Sequence, residues 1–134
     1  MSGGYAGTGQ ATLLRQNQQV ALLQQATNIV GRASIALQLE TQRNSFPWGV
    51  SLQIYFTDAN GNPADPGAFV VDVQASDLDT DAQYSTISAW PADGTLNASF
   101  VGRIELPGFY ARYIRVFVAS LANPAVCISV LATH

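Results

Sequence analysis

The chain has 134 residues, with six arginines and no lysine set against nine acidic residues, a formal net charge of −3 and 48% hydrophobic residues. That length suits one domain, which removes about two-thirds of its unfolded surface from water, while the charged fraction of 11% is less than half the roughly 25% of an average soluble domain. An acidic balance argues against a nonspecific nucleic-acid binder, which needs a basic stripe, and no apolar run approaches the ~20 residues of a membrane span.

Residues 1–10, "MSGGYAGTGQ", are small and glycine-rich. They carry neither the basic nor the apolar segment of a secretory signal, so a soluble chain made in a cytoplasm is expected. Residues 10–25 hold six glutamines among leucines. Leu13, Leu14, Val20, Leu22 and Leu23 keep to no single stripe of period 3.6, so residues 1–33 read as an N-terminal arm. Three fates stay open for the arm: docking on a neighbouring subunit through those five apolar residues, a short helix or strand on its own domain, or disorder.

From Ser34 the apolar period is two. Ile35, Leu37 and Leu39 alternate with polar residues, as do Val50, Leu52, Ile54 and Phe56, and then Phe69, Val71, Val73 and Ala75. The pattern resumes with Phe100, Ile104 and Leu106, where Gly102 stands in for a side chain, then Ile114, Val116 and Val118, and finally Val126, Ile128 and Val130. A weaker seventh strand falls at 83–88, "QYSTIS". Turn signals separate these runs: "FPWG", "DANGNPADPG", "PADG", "LPG" and "ANPA". Short strands punctuated by Pro and Gly, without alternating helices, predict an all-β fold: an antiparallel β-sandwich of jelly-roll type over 34–134, preceded by the arm.

If Ile114, Val116 and Val118 point inward, Tyr113, Arg115 and Phe117 point outward, and the same rule turns Val101, Arg103 and Glu105 outward. Aromatic residues and arginine are enriched at protein interfaces. Two neighbouring strands sharing an arginine-bearing outer face would therefore offer a partner-binding surface. The competing reading is that the arm of the same chain covers those rings.

Lysine is the usual edge-protecting residue of free-standing β-proteins, so its absence fits either surfaces covered by partners or compositional drift in a GC-rich genome. Seven aspartates and no base occupy 58–93, whereas 1–43 and 103–115 each hold three arginines and one glutamate. Such segregation orients contacts within or between copies more than it strengthens them. Asp77, Asp79 and Asp81, and likewise Asp58, Asn60 and Asn62, have the spacing of hard oxygen ligands for calcium, but neither run matches an EF-hand loop, and solvated turns are the simpler reading. No catalytic constellation emerges: His134 is the single histidine, Cys127 sits in the apolar run "AVCISVLA" as a buried thiol, and no phosphate-loop or nucleophile-elbow motif occurs. No cofactor or small-molecule substrate is expected. Trp48, Trp90, Tyr84 and Tyr110 offer a sugar-stacking platform as the rival function, although each tryptophan adjoins a proline, as loop packing at a sandwich end would have it.

The segments "VQASDLDTDAQYSTISAW" and "FVGRIELPGFYARYIRVFVASL" resemble the half-sandwich of discoidin-like and related jelly-roll domains. With a glutamine-rich arm and no lysine, the chain is similar more specifically to the jelly-roll cement or decoration proteins of tailed-bacteriophage capsids, over roughly 34–132. It is shorter than discoidin-type domains and lacks their terminal disulfide pair. The resemblance implies a non-enzymatic virion protein, often a dimer or trimer, that binds the capsid exterior and cements the major capsid protein. A carbohydrate- or receptor-binding module of a phage tail or fibre is the alternative.

Overall fold

The computed structural model describes residues 12–14, 19–39, 49–106 and 111–133. Their strands are β1 (Thr12–Leu14), β2 (Gln19–Ala26), β3 (Arg32–Ala33), β4 (Leu37–Leu39), β5 (Val50–Thr57), β6 (Phe69–Ser76), β7 (Ser85–Trp90), β8 (Val101–Leu106), β9 (Tyr113–Leu121) and β10 (Cys127–Thr133). One 3-10 turn occupies Asp81–Gln83. The strands form two sheets, ordered β2-β10-β5-β8 and β1-β4-β9-β6-β7, with β3 also on β9. Every pairing is antiparallel except that of β1 with β4.

β3 and β4 are one strand interrupted at 34–36, since both run along β9, with Ala33 opposite Phe117 and Leu37 opposite Ile114. At the interruption the Ser34 N–H donates to Val116 O (2.8 Å), and Ser34 Oγ accepts the Val116 N–H (3.0 Å). A hydroxyl oxygen thus replaces a ladder carbonyl and keeps a buried donor satisfied. With β3 and β4 counted as one strand and β1 set aside as an extra edge, eight strands lie in the orders first-eighth-third-sixth and second-seventh-fourth-fifth. That connectivity is a jelly roll.

The core follows the period-two pattern. Leu52, Ile54 and Phe56 of β5, Val71 and Val73 of β6, Ile114, Val116 and Val118 of β9, and Ile128, Val130 and Ala132 of β10 all lie fully buried between the sheets. Trp90 joins them at the end of β7. It explains the missing side chain at Gly102, where a Cβ would stand 3.3 Å from Trp90 Cδ1 and 3.0 Å from Leu96 Cδ2. Gly94 is tighter still, because a Cβ there would meet the Arg103 carbonyl oxygen at 2.6 Å. Trp90 is therefore a core residue and not part of a sugar platform, while Trp48, Tyr110 and His134 lie outside the described residues.

The division into an arm at 1–33 and a sandwich at 34–134 does not hold for residues 19–33, which are part of the sandwich. β2 pairs with β10 on the side opposite β5, and Leu22 and Leu23 belong to the core at 4% and 6% exposure, with Val20 packed beside them. The reason is a doubly irregular ladder. Ile128, Val130 and Leu131 of β10 face Ala26, Leu23 and Ala21, so β2 carries extra residues at two points. Gln25 turns through a positive φ of 46°, and its N–H donates to Ser129 Oγ at 2.9 Å. Bulges shift the alternation by one residue each time. Consecutive leucines can then both face inward, which neither a 3.6 nor a strict 2.0 period anticipates. β1 follows β4 in the second sheet, so the backbone at Leu13 and Leu14 is also part of the sandwich, whereas their side chains and residues 1–11 and 15–18 lie outside the described residues.

Replacing Leu23 with Ala should lower the unfolding free energy by about 2–5 kcal/mol, the range for truncating a buried leucine. Removing residues 1–26 should abolish cooperative unfolding in denaturant titrations. A truncated chain with the parent's melting temperature would return 19–26 to the role of a detachable arm.

Candidate protein-contact faces

The arginines expected to share one face lie on opposite sides of the sandwich. Arg103 is on β8, at the edge of the first sheet, and Arg115 is on β9, inside the second. Consecutive strands here mostly change sheets, so neighbours in the chain present their outer faces in opposite directions.

On the second sheet the outward row Tyr113, Arg115 and Phe117 is covered by the chain itself. Arg115 is 5% exposed. Its Nη1 lies 2.7 Å from Asp81 Oδ1, its Nε donates to Gln74 Oε1 at 2.8 Å, and its guanidinium stands 4.0 Å from the centre of the Tyr84 ring. The Tyr84 hydroxyl donates to Asp79 Oδ1 (3.0 Å), and burial together with that hydrogen bond pushes its pKa well up. Phe117 is half-buried in a small apolar cluster with Ala33, Ala36 and Tyr84. Tyr113 is half-buried too, with the Arg112 guanidinium 6.0 Å from its ring centre. The cover comes from 31–36 on one side and from the 77–84 loop on the other. Arg115, Phe117, Leu22 and Leu23 are thus packing residues rather than an exposed interface.

The same loop settles the spacing of its aspartates. Asp77 accepts the Arg112 N–H (3.3 Å), Asp79 takes Tyr84 and Asp81 takes Arg115, so the three carboxylates diverge. In "DANGN" the Asp58 carboxylate accepts the N–H groups of Asn60 (2.8 Å) and Asn62 (3.0 Å), and these bonds hold it below the usual carboxylate range. Among the described residues no group of three His, Cys, Asp or Glu side chains is placed to hold a metal ion. Cys127 is buried with its thiol free.

The outer face of the first sheet is built differently. Register aligns Ser51, Gln53 and Tyr55 of β5 with Glu105, Arg103 and Val101 of β8 on one side, and with Thr133, Leu131 and Ser129 of β10 on the other. Beyond β10, Gln19 and Ala21 of β2 continue two of the rows. Arg103 lies across this surface, Nη1 donating to Ser51 Oγ and Nη2 to Gln53 Oε1, both at 2.9 Å. Glu105 approaches to 4.0 Å with both side chains more than half exposed, a geometry worth about 0–1 kcal/mol. The two neutral hydrogen bonds therefore orient the guanidinium more than the ion pair does. Its side chain is more than half exposed, on a face that also carries hydroxyls, amides, one tyrosine and one leucine. Sequence reasoning found Arg103 but passed over Ser51, Gln53, Tyr55 and Leu131, although the alternation that placed Leu52, Ile54 and Val130 inside also placed these outside.

Replacing Arg115 with Ser should cost roughly 1–3 kcal/mol in chemical denaturation, as expected when hydrogen bonds to a charged group are removed. Arg103→Ser should stay within about 0.5 kcal/mol of the parent. Asp72, also on the outer side of β6, has its carboxyl raised by burial. The folded chain then holds that proton more tightly than the unfolded chain, so Asp72 favours the fold at low pH, and this contribution is lost as pH rises through its folded pKa. Asp72→Asn should accordingly raise the melting temperature at neutral pH, with the gain vanishing below the ordinary carboxylate range. A gain that instead grew on acidification would contradict the assignment.

No protein-family model matches the chain, and neither a curated protein nor a solved structure was found that is similar to it.

Proposed function

We propose that this chain is a non-enzymatic structural protein of a virion, which lies on the outside of a capsid and cements neighbouring copies of the major capsid protein. The observation that carries the adhesive part of this reading is the outer face of the first sheet, where Arg103 is laid flat by Ser51 and Gln53 among exposed or half-exposed polar and apolar groups. A broad face of this kind suits another macromolecular surface. Arginine, tyrosine and leucine supply contact area, and serine and glutamine adapt their hydrogen bonds. Because Arg103 is already oriented, docking loses less side-chain entropy than docking through a free arginine. The virion setting rests on the jelly-roll architecture and on the resemblance of the chain to decoration proteins, an argument by analogy. On a shell, many copies act together, so each contact can be weak.

Leu22 and Leu23 no longer supply an arm's grip, since they are core residues, while the side chains of Leu13 and Leu14 lie outside the described residues. The carbohydrate-binding alternative also loses ground, because Trp90 is buried and Tyr84 is stacked on Arg115.

The test is co-sedimentation with shells of the virus that encodes the chain. Arg103→Glu is expected to lower occupancy strongly without changing the melting temperature, whereas Arg115→Ser should lower stability first. Unchanged occupancy with Arg103→Glu would remove this face from the mechanism, and robust, competable signals on a glycan array would favour the carbohydrate reading.

A further inference from the structure

The loop after β5 holds a different chemistry. Asn60–Gly61 is the single Asn-Gly step in the sequence. An asparagine is thermolabile where the main-chain nitrogen of the next residue can attack its Cγ, and glycine, with no side chain, obstructs that approach least. Sequence alone also nominates Asp93–Gly94, since an aspartate followed by glycine closes the same ring. The structure separates the two. Asn60 and Gly61 are both exposed, and a Cβ on Gly61 would find only Gln25 Nε2, at 3.9 Å. The Asn60 N–H donates to Asp58 Oδ1 (2.8 Å), but among the described residues nothing holds its side-chain amide. The Gly61 N–H donates to Asp58 O over 3.1 Å, a surface bond that local opening of the turn releases. Asp93 is fixed instead: its Oδ2 accepts from Ser88 Oγ (2.9 Å) and from the Ala89 N–H (3.0 Å), and Gly94 is wedged against the Arg103 carbonyl. Ring closure there would break both bonds. The other described asparagines are blocked. Pro63 and Pro124 follow Asn62 and Asn123 and have no N–H to give up. Asn97 Oδ1 holds the N–H groups of Ser99 (2.8 Å) and Val101 (3.1 Å), and Asn28 precedes the branched, buried Ile29.

We propose that Asn60 is a site of self-modification in the folded chain, converting to aspartate and isoaspartate as the protein ages. The Gly61 nitrogen gives its proton to a base in solution and bonds to Asn60 Cγ. The Cγ–Nδ2 bond breaks, the amide leaves as ammonia, and a succinimide ring closes. Water then opens the ring: cleavage at the side-chain carbonyl leaves aspartate, and cleavage at the main-chain carbonyl leaves isoaspartate. The net change is one water taken up and one ammonia released, with no oxidant or reductant. Either product adds a negative charge to a chain whose net charge is −3, two residues from the Asp58 carboxylate. Isoaspartate also lengthens the main chain by a methylene between Asp58 and Asn62. Those two residues are joined by the Asp58 N–H on Asn62 O (2.8 Å) and the Asn62 N–H on Asp58 Oδ1 (3.0 Å), so the product loosens this loop and leaves the sheets in place. The site is separate from the Arg103 face and stands whether or not that face binds a shell.

Ageing the full chain in mildly alkaline buffer, below its melting temperature, tests the proposal by peptide mapping in a mass spectrometer and enzymatic methylation of isoaspartate. The peptide carrying residue 60 is expected to gain the amide-to-acid mass difference before any other, with an equivalent of ammonia released and a more acidic band on isoelectric focusing. Isoaspartate should appear at 60 and not at 93. Asn60→Gln should reduce conversion of that peptide to the level of the other asparagine peptides. Circular dichroism and melting confirm that the variant folds; should it not, Asn60→Ser replaces it. In urea, where the Asp93 carboxylate is released, isoaspartate should form at both steps. A folded chain that stays unchanged at residue 60, or one that forms isoaspartate at 93 as fast as at 60, overturns the proposal.

Discussion

A strand in a two-layer sandwich can turn only one face into the space between the sheets, and the outside of this molecule is organised by the treatment of the other face. The second sheet covers much of its outer face with its own chain. The guanidinium of Arg115 is the centre of that cover, gathering Asp81, Gln74 and the Tyr84 ring and so pinning the 77–84 loop across β6 and β9. A charge so nearly withdrawn from water is tolerated only with such partners. Among the described residues, the first sheet has no comparable cover over Ser51, Gln53 and Arg103. The two outer faces therefore differ: on the second sheet Arg115 is withdrawn from water, and on the first Arg103 is more than half exposed.

The strands beyond Ser34 were legible because their two faces differ sharply: in β5, Val50, Leu52, Ile54 and Phe56 are core, and the residues between them are not. β7 was weaker in sequence because "STISAW" contains a register shift opposite Val73 and Gln74, and its polar and apolar residues do not alternate cleanly. β2 was hidden for the same reason, with two shifts in eight residues. A period is a sum over regular geometry, and bulges remove the regularity while keeping the strand.

Of the candidate face, direction was legible and cover was not. Alternation sends both Arg103 and Arg115 outward, and both do leave the inter-sheet space. Which sheet each belongs to depends on the jelly-roll winding, in which the step from β8 to β9 crosses the sandwich. What lies on top of each depends on a loop whose aspartates looked like ligands and act instead as anchors for Arg115, Tyr84 and the backbone of Arg112. Neither property has a short-range pattern. Each is fixed by contacts between residues more than thirty positions apart, as in Arg115 with Asp81 and Gln74.

The absence of lysine can be weighed against these features. Free-standing β-proteins commonly guard their edges with charge, but here Asn97 and Asp93 act as local caps that fold a turn back onto the strand ends at Val101 and Ala89. Capping of this kind blocks strand addition without placing a mobile cation on the surface. It also acts residue by residue, so one end of a strand can be closed independently of the other. A long lysine side chain would sweep the whole edge and the neighbouring groove and would discourage all partners alike. A short turn capping one residue leaves the next few neutral and ordered. For a chain with only 11% charged residues, such caps close strand ends with locally held groups in place of lysines.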